Sequence, residues 1–474
     1  MDGFSPDRGG VREMTRSGIR WGQVIAVVPR WRWATAVAAL AVLTACEQVE
    51  QVQDRFRDMT PYEAYEASLA DAGLAETALV RDWLMAGREA VDAPAPISLP
   101  FQEEGFISAE APSAMAYRVT IGRGQRLTAE VTLNSGEQTR VFIDLFRVPG
   151  NEDDPLRPVI SSDSVPGEFV IEPWRGGDYV LRLQPELLRG GTYGVTLRLE
   201  AQLAFPVEGY SMRGVQSIFG ADRDGGRRSH AGVDIFARRG TPVLATSAGR
   251  VNRVDVTNLG GKVVWVRDPI RNSNIYFAHL DSQYVRNGDQ VQIGDTLGFV
   301  GNTGNARTTP PHLHFGVYRS REGAVDPYPF LDPPRGTLAE QTADLDQLGE
   351  WVRLVDDGIR LRAAPGRSGA VIRELGQYTP VRVLGGSGEY FRVRSPEGVD
   401  GYVAARLTEP VDSPLGSQVA EAGGAVRLEP KDDALIMVRL KPGEQVPVLG
   451  RYERFLYVRA PGGLTGWMDA DQEQ

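Results

Sequence analysis

The chain of 474 residues contains four histidines, and all of them, His230, His279, His312 and His314, stand in one stretch. A lone histidine is usually a satisfied core or surface residue. Four together, two of them one residue apart and one followed four positions later by Asp234, ask for a chemical explanation. His312-Leu313-His314 runs on as Phe315-Gly316-Val317-Tyr318, the alternation of a strand, so residues 312 and 314 leave the same face. His279 closes a second such run, Asn274-Ile275-Tyr276-Phe277-Ala278-His279-Leu280, and can point into the same cleft. His230-Ala231-Gly232-Val233-Asp234 offers an imidazole and a carboxylate across a glycine-containing turn that leads into a strand. Such ligands suit zinc, and three of them with a fourth position open to water make a catalytic rather than a structural site. The single cysteine, Cys46, excludes an intramolecular disulfide framework and any cysteine-rich zinc finger, so a metal must be held by His, Asp or Glu. The His-Glu-x-x-His pattern is absent, because no histidine here is followed by glutamate.

His-x-x-x-Asp followed by a later His-x-His resembles the signature of the lysostaphin and LytM-type zinc endopeptidases. The resemblance covers roughly residues 205–330 and extends to Phe205-Pro206-Val207, Ser217-Ile218-Phe219-Gly220, Gly240-Thr241-Pro242-Val243, Val285-Arg286-Asn287-Gly288 and Gly301-Asn302-Thr303-Gly304. It implies that His230, Asp234 and His314 hold one Zn2+ and that His279 and His312 are the catalytic pair. His312 is then the base and His279 a hydrogen-bond donor to the tetrahedral oxyanion, with the two roles open to being shared or reversed. The substrate implied is the stem peptides of peptidoglycan, and the activity is cleavage of cross-links during wall remodelling. Gly316 stands where the family often has a glutamate that is not a ligand, which predicts altered substrate-side detail with activity kept. The Arg- and Gly-rich stretch 221–229 borders the cleft, and its Arg223, Arg227 and Arg228 are expected to be solvated or to meet substrate carboxylates.

The elements around this constellation are mainly β and multidomain. A chain this long exceeds one hydrophobic core. Residues 1–46 resemble a lipoprotein signal: Arg16, Arg20, Arg30 and Arg32 precede the apolar run 34–45, which is short for a membrane span, and Leu43-Thr44-Ala45-Cys46 resembles a lipobox. Acylation of Cys46 would tether the protein to a lipid membrane; Glu47 after the cysteine suits an outer membrane facing the periplasm. Met14 is an alternative start.

Residues 47–96 read as a tether and short helices, with Thr60 and Glu63 as a capping box, Pro61 at the first helical position, and Leu79, Val80, Trp83 and Leu84 on a second helix. Alternating runs over 97–203 predict an antiparallel β-sandwich, 204–332 the β-sheet peptidase domain, and 333–349 a linker. A repeat then appears, resembling bacterial SH3-like barrels: 350–410 carries Gly358-Ile359-Arg360-Leu361-Arg362 and Gly401-Tyr402-Val403, and 422–474 carries Ala425-Val426-Arg427-Leu428 and Gly466-Trp467-Met468. The second copy has lost the Arg362-to-Pro365 loop pattern.

The formal net charge of -10 argues against nucleic acid as a partner, since phosphates need a basic face. Two non-enzymatic readings stand beside the hydrolase: a regulator that activates wall amidases, and a wall-binding adaptor. Intact ligands and both catalytic histidines speak against the regulator.

Overall fold

The computed structural model describes residues 59–470, apart from 110, 135–138, 152–153, 155, 164–166, 224 and 422–423. Residues 1–46, expected to be a lipoprotein signal ending at Cys46, and nearly all of the expected tether lie outside the described residues. No described helix is long and apolar enough to cross a membrane.

Two helices open the described chain. Thr60 caps Pro61–Asp71 reciprocally with Glu63, whose backbone N–H donates to the Thr60 hydroxyl at 3.2 Å while its carboxylate accepts from the Thr60 N–H at 2.8 Å. Ala78–Asp92 starts at Thr77 and buries Val80 and Trp83. The Trp83 indole stacks on Tyr62 and meets Phe142 edge-on, and its N–H donates to the Pro185 carbonyl, which seats the helices on the sandwich.

The sandwich places Met115–Ile121, Gly177–Pro185, Val141–Arg147 and Pro158–Ser162 in one sheet, and Phe101–Ile107, Gly191–Ala201, Gln125–Asn134 and Gly167–Ile171 in another. Inward residues of both, Tyr117, Val119, Leu127, Ala129, Leu181 and Leu197 among them, make one apolar core. This second sheet is not self-contained. Phe101–Ile107 pairs on its free side with Pro380–Ser387, Glu104 opposite Gly386 and Gly105 opposite Gly385, so an 11-stranded ladder runs from the sandwich into the first repeat.

Each repeat follows one strand order. Trp351–Leu354, Ile359–Arg362, Val371–Leu375, Pro380–Ser387, Tyr390–Arg394 and Asp400–Ala404 are matched by Gly416–Val419, Ala425–Arg427, Ile436–Arg439, Gln445–Tyr452, Phe455–Arg459 and Thr465–Asp469. Small SH3-like barrels were the expectation; among the described residues the ladders stay open, and Val371–Leu375 and Ile436–Arg439 are edge strands paired on one side only. In the first repeat the physical reason is visible. Pro380–Ser387 pairs with Trp351–Leu354 at its start, and its far end leaves to join the sandwich.

A buried polar node locks that junction. Glu103, fully buried, accepts hydrogen bonds from the hydroxyls of Tyr117, Tyr193 and Tyr402, and the Arg392 guanidinium lies 3.4 Å away. Residue 103 belongs to the sandwich, residues 392 and 402 to the repeat.

The 8-stranded sheet of the middle domain runs Val215–Ser217, Val233–Phe236, His312–Arg319, Ser273–Leu280, Gly261–Asp268, Gly249–Thr257 and Gln290–Val291, with Gly323–Val325 beside His312–Arg319. Its period of two sorts the residues. Val233, Ile235, Leu313, Phe315, Val317, Ile275, Phe277, Val264 and Val266 point into a core closed by Val243, Leu297 and Val300. The alternate positions of the central strands face a cleft. Arg319, 4% exposed, ties the far side of the domain to the sandwich by donating to the Trp174 carbonyl while lying over the Trp174 and Phe330 rings.

Candidate metal centre

Asp234 and His314 face each other across adjacent antiparallel strands, as do Phe236 and His312. The register alone brings an imidazole and a carboxylate from positions 80 apart to one spot. His314 Nδ1 lies 2.9 Å from Asp234 Oδ1, His230 Nε2 lies 3.0 Å from the same oxygen, and the two ring nitrogens are 3.0 Å apart. Gly232 makes this possible: a Cβ there would lie 2.4 Å from the Phe315 carbonyl oxygen and within 2.9 Å of the His314 ring.

The protonation pattern follows from the outer partners. His230 Nδ1 is 2.8 Å from the Ile218 carbonyl, which can only accept, so this nitrogen carries a proton and Nε2 is the ring atom turned toward Asp234 and His314. Burial lowers the His314 pKa below the usual imidazole value and keeps that ring neutral. Three atoms able to act as metal ligands, His230 Nε2, His314 Nδ1 and Asp234 Oδ1, converge on one another, an arrangement that favours a cation among them. Ligands about 2.0–2.2 Å from a tetrahedral zinc stand roughly 3.3 Å apart. The observed separations of 2.9–3.0 Å come within half an ångström of that, so the residues fit the ion.

His279 is positioned by an irregularity. Val264 pairs with Phe277 and Lys262 with Leu280, so Ala278 and His279 together stand opposite Val263 in a β-bulge. His279 takes φ 63°, a left-handed conformation rarely used by side-chain-bearing residues, and the bulge turns its ring toward the cleft. Its Nδ1–H donates to the Thr303 carbonyl at 2.9 Å. Thr303 is itself fixed, its hydroxyl accepting from Lys262 N–H and donating to the Leu280 carbonyl. Gly261, at φ 65°, lets Thr303 approach where a Cβ would lie 2.2 Å from that hydroxyl. Burial first, then the neighbouring His314 and His312, push the His279 pKa down to about 4.

His312 donates from Nδ1 to the Pro310 carbonyl at 2.9 Å and stacks on Phe236 at 5.0 Å. The His279 and His312 rings are 5.0 Å apart, and His279 is 5.9 Å from His314. All four histidines and Asp234 line one cleft of about 380 Å³, shared with Ser217, Arg223, Arg228, Tyr276 and Asn305. Every residue lining it belongs to the middle domain.

Residues 228–327 match the family model described as Peptidase family M23. The chain carries an M23 peptidase domain. Residues 357–409, in the first repeat, match the model for Bacterial SH3 domain. The chain is 39% identical over 139 residues to the L-Ala–D-Glu endopeptidase of Bacillus subtilis (strain 168), covering 27% of this chain and 42% of the relative. It is 37% identical over 107 residues to the glycyl-glycine endopeptidase ALE-1 of Staphylococcus capitis, covering 22% and 29%. It is 37% identical over 118 residues to the uncharacterized lipoprotein YgeR of Escherichia coli (strain K12), covering 24% and 42%. The matches thus span less than half the length of each of these relatives.

Within the M23 domain the structure brings His230, Asp234 and His314 together as one potential metal-holding group and sets His279 and His312 beside them. The sequence reading missed two side chains. Thr303 orients His279 from within the Gly301-to-Gly304 segment, where the paired glycines were the signal. Arg223, expected to be solvated or to meet substrate carboxylates, turns inward to Asp234 and Ser217 instead.

Proposed function

We propose that this protein is a zinc-dependent endopeptidase that hydrolyses peptide bonds in bacterial peptidoglycan. The observation that carries the proposal is the convergence of His230 Nε2, Asp234 Oδ1 and His314 Nδ1 with two further imidazoles beside them in one open cleft. Zinc bound there would supply Lewis acidity toward a scissile carbonyl and an acidified water.

The remaining steps belong to the side chains. His279 and His312 have each committed Nδ1–H to a backbone carbonyl, so at either position a neutral ring would hold its lone pair at Nε2. A neutral ring of this tautomer accepts a proton and cannot donate from Nε2. Donation to the oxyanion or to the leaving amine therefore follows proton uptake, which favours shared roles over a fixed base and a fixed donor. The low His279 pKa keeps that ring neutral at physiological pH, ready to receive a proton and quick to release it.

The wall as substrate is supported by the relatives named as endopeptidases, which differ in the bond cut. Export and lipid anchoring through Cys46 are supported by the lipobox-like sequence and by one relative named as a lipoprotein. The experiment is metal content and release of fragments from purified peptidoglycan, measured on the parent, Asp234→Ala and His279→Ala. The Asp234 variant should lose zinc and activity together, and the His279 variant should keep zinc and lose most turnover. Full activity and full metal in Asp234→Ala would end the proposal. Cys46→Ser should abolish incorporation of labelled fatty acid; undiminished labelling removes the lipoprotein reading.

A further inference from the structure

Asp222–Arg223 and Arg228–Ser229 pair as a short hairpin that ends one residue before His230. From this hairpin the Arg223 guanidinium reaches back over the sheet. Its Nη2 donates to Asp234 Oδ2 at 2.8 Å and to Ser217 Oγ at 2.6 Å. Ser217 stands opposite Asp234 on the neighbouring strand, so the guanidinium is anchored to both strands. The carboxylate of Asp234 is thereby divided: Oδ1 faces the two imidazoles and Oδ2 faces the arginine.

We propose that Arg223 is a positioning residue of the metal centre, which reserves Oδ2 of Asp234 and leaves Oδ1 as its single ligand atom. The inference rests on the zinc reading above. A carboxylate free at both oxygens can rotate or chelate through both, raising the coordination number and closing the position that substrate needs. A charge-assisted hydrogen bond to one oxygen removes that freedom. The arginine is 29% exposed and Asp234 11%, which places the pair at the cleft wall, where water competes weakly for the bond.

The test uses the full chain carrying Arg223→Gln or Arg223→Lys, with fold monitored by circular dichroism. Zinc dissociation constants are measured by competition with a chromophoric chelator, and the visible spectrum of the cobalt-substituted protein reports coordination number. In R223Q zinc affinity should fall roughly 10- to 100-fold. Its cobalt bands should lose intensity, as expected when a fifth ligand atom joins. R223K, which keeps the charge but not the planar guanidinium whose Nη2 meets both Ser217 and Asp234, should lie between R223Q and the parent. Should R223Q fail to fold, a weaker zinc constant and fainter cobalt bands in R223K than in the parent decide the matter. Parental zinc constants and cobalt spectra in the folded variants overturn the proposal, and a raised KM alongside them would assign Arg223 to substrate instead. A parent that binds no zinc at all would instead bring down the underlying metal reading.

Discussion

Gly232→Ala is the perturbation whose effect can be worked most directly from the structure. A methyl carbon at this position would sit 2.4 Å from the Phe315 carbonyl oxygen, 2.8 Å from His314 Cε1 and 2.9 Å from His314 Nε2. Non-bonded heavy atoms settle at about 3.5 Å, so something must yield by roughly 0.6–1.1 Å. The backbone oxygen is held in the ladder between Val233–Phe236 and His312–Arg319, so the imidazole ring is the softer target. Overpacking of this kind costs roughly 1–3 kcal/mol. Carried by the metal centre, that equals about 5- to 150-fold in the zinc dissociation constant. The assay is chelator competition on G232A beside Gly416→Ala, a glycine with open space around its Cβ position. Thermal unfolding of both metal-free proteins would separate a displaced ring, which spares the apo fold, from a splayed strand pair, which does not. An unchanged zinc constant in G232A would refute the claim that this glycine sets the position of His314.

Further outcomes follow from the same structure. His279 has its pKa pushed down to about 4 from 6.5, so between these values the unfolded chain takes up a proton that the folded protein refuses. Stability then rises with pH through this window and is lost as pH falls from about 6.5 toward 4, by about 3 kcal/mol from this group. Urea unfolding of metal-free parent and His279→Gln at roughly pH 7 and pH 4 should show the smaller loss in the variant; parallel losses would count against the burial of this ring. At the sandwich junction, Arg392→Ala strips the buried Glu103 carboxylate of its positive partner and should cost about 3–5 kcal/mol. Tyr402→Phe, which removes one of three hydroxyl donors, should cost about 1–3 kcal/mol. Equal denaturation midpoints for the two variants and the parent would show that the node does not hold the domains together.

The sequence was most informative where chemistry and local period coincide. The alternation His312-Leu313-His314 fixes a shared face without reference to anything distant, and the structure shows both rings lining one cleft. The same period separates Val233 and Ile235, which are buried in the core, from Asp234. What the sequence hid are pairings between remote segments. Nothing in Glu103 announces that its partners stand at positions 117, 193, 392 and 402, because a buried carboxylate is defined by its neighbours and not by its own flanks. The ladder from sandwich to repeat depends on backbone at Gly105 and Gly385, residues that carry no periodic signal. Arg223 looked solvated because its loop is rich in charge and glycine, and only the hairpin's direction turns it inward. His279 escaped a full account because its orientation comes from a bulge, which period-two reasoning does not foresee.

The most direct measurement is anomalous diffraction at the zinc edge from crystals of the zinc-loaded protein. The account predicts a single strong peak within about 2.0–2.2 Å of His230 Nε2, Asp234 Oδ1 and His314 Nδ1. A peak on other residues, or none in this cleft at full zinc loading, would contradict it.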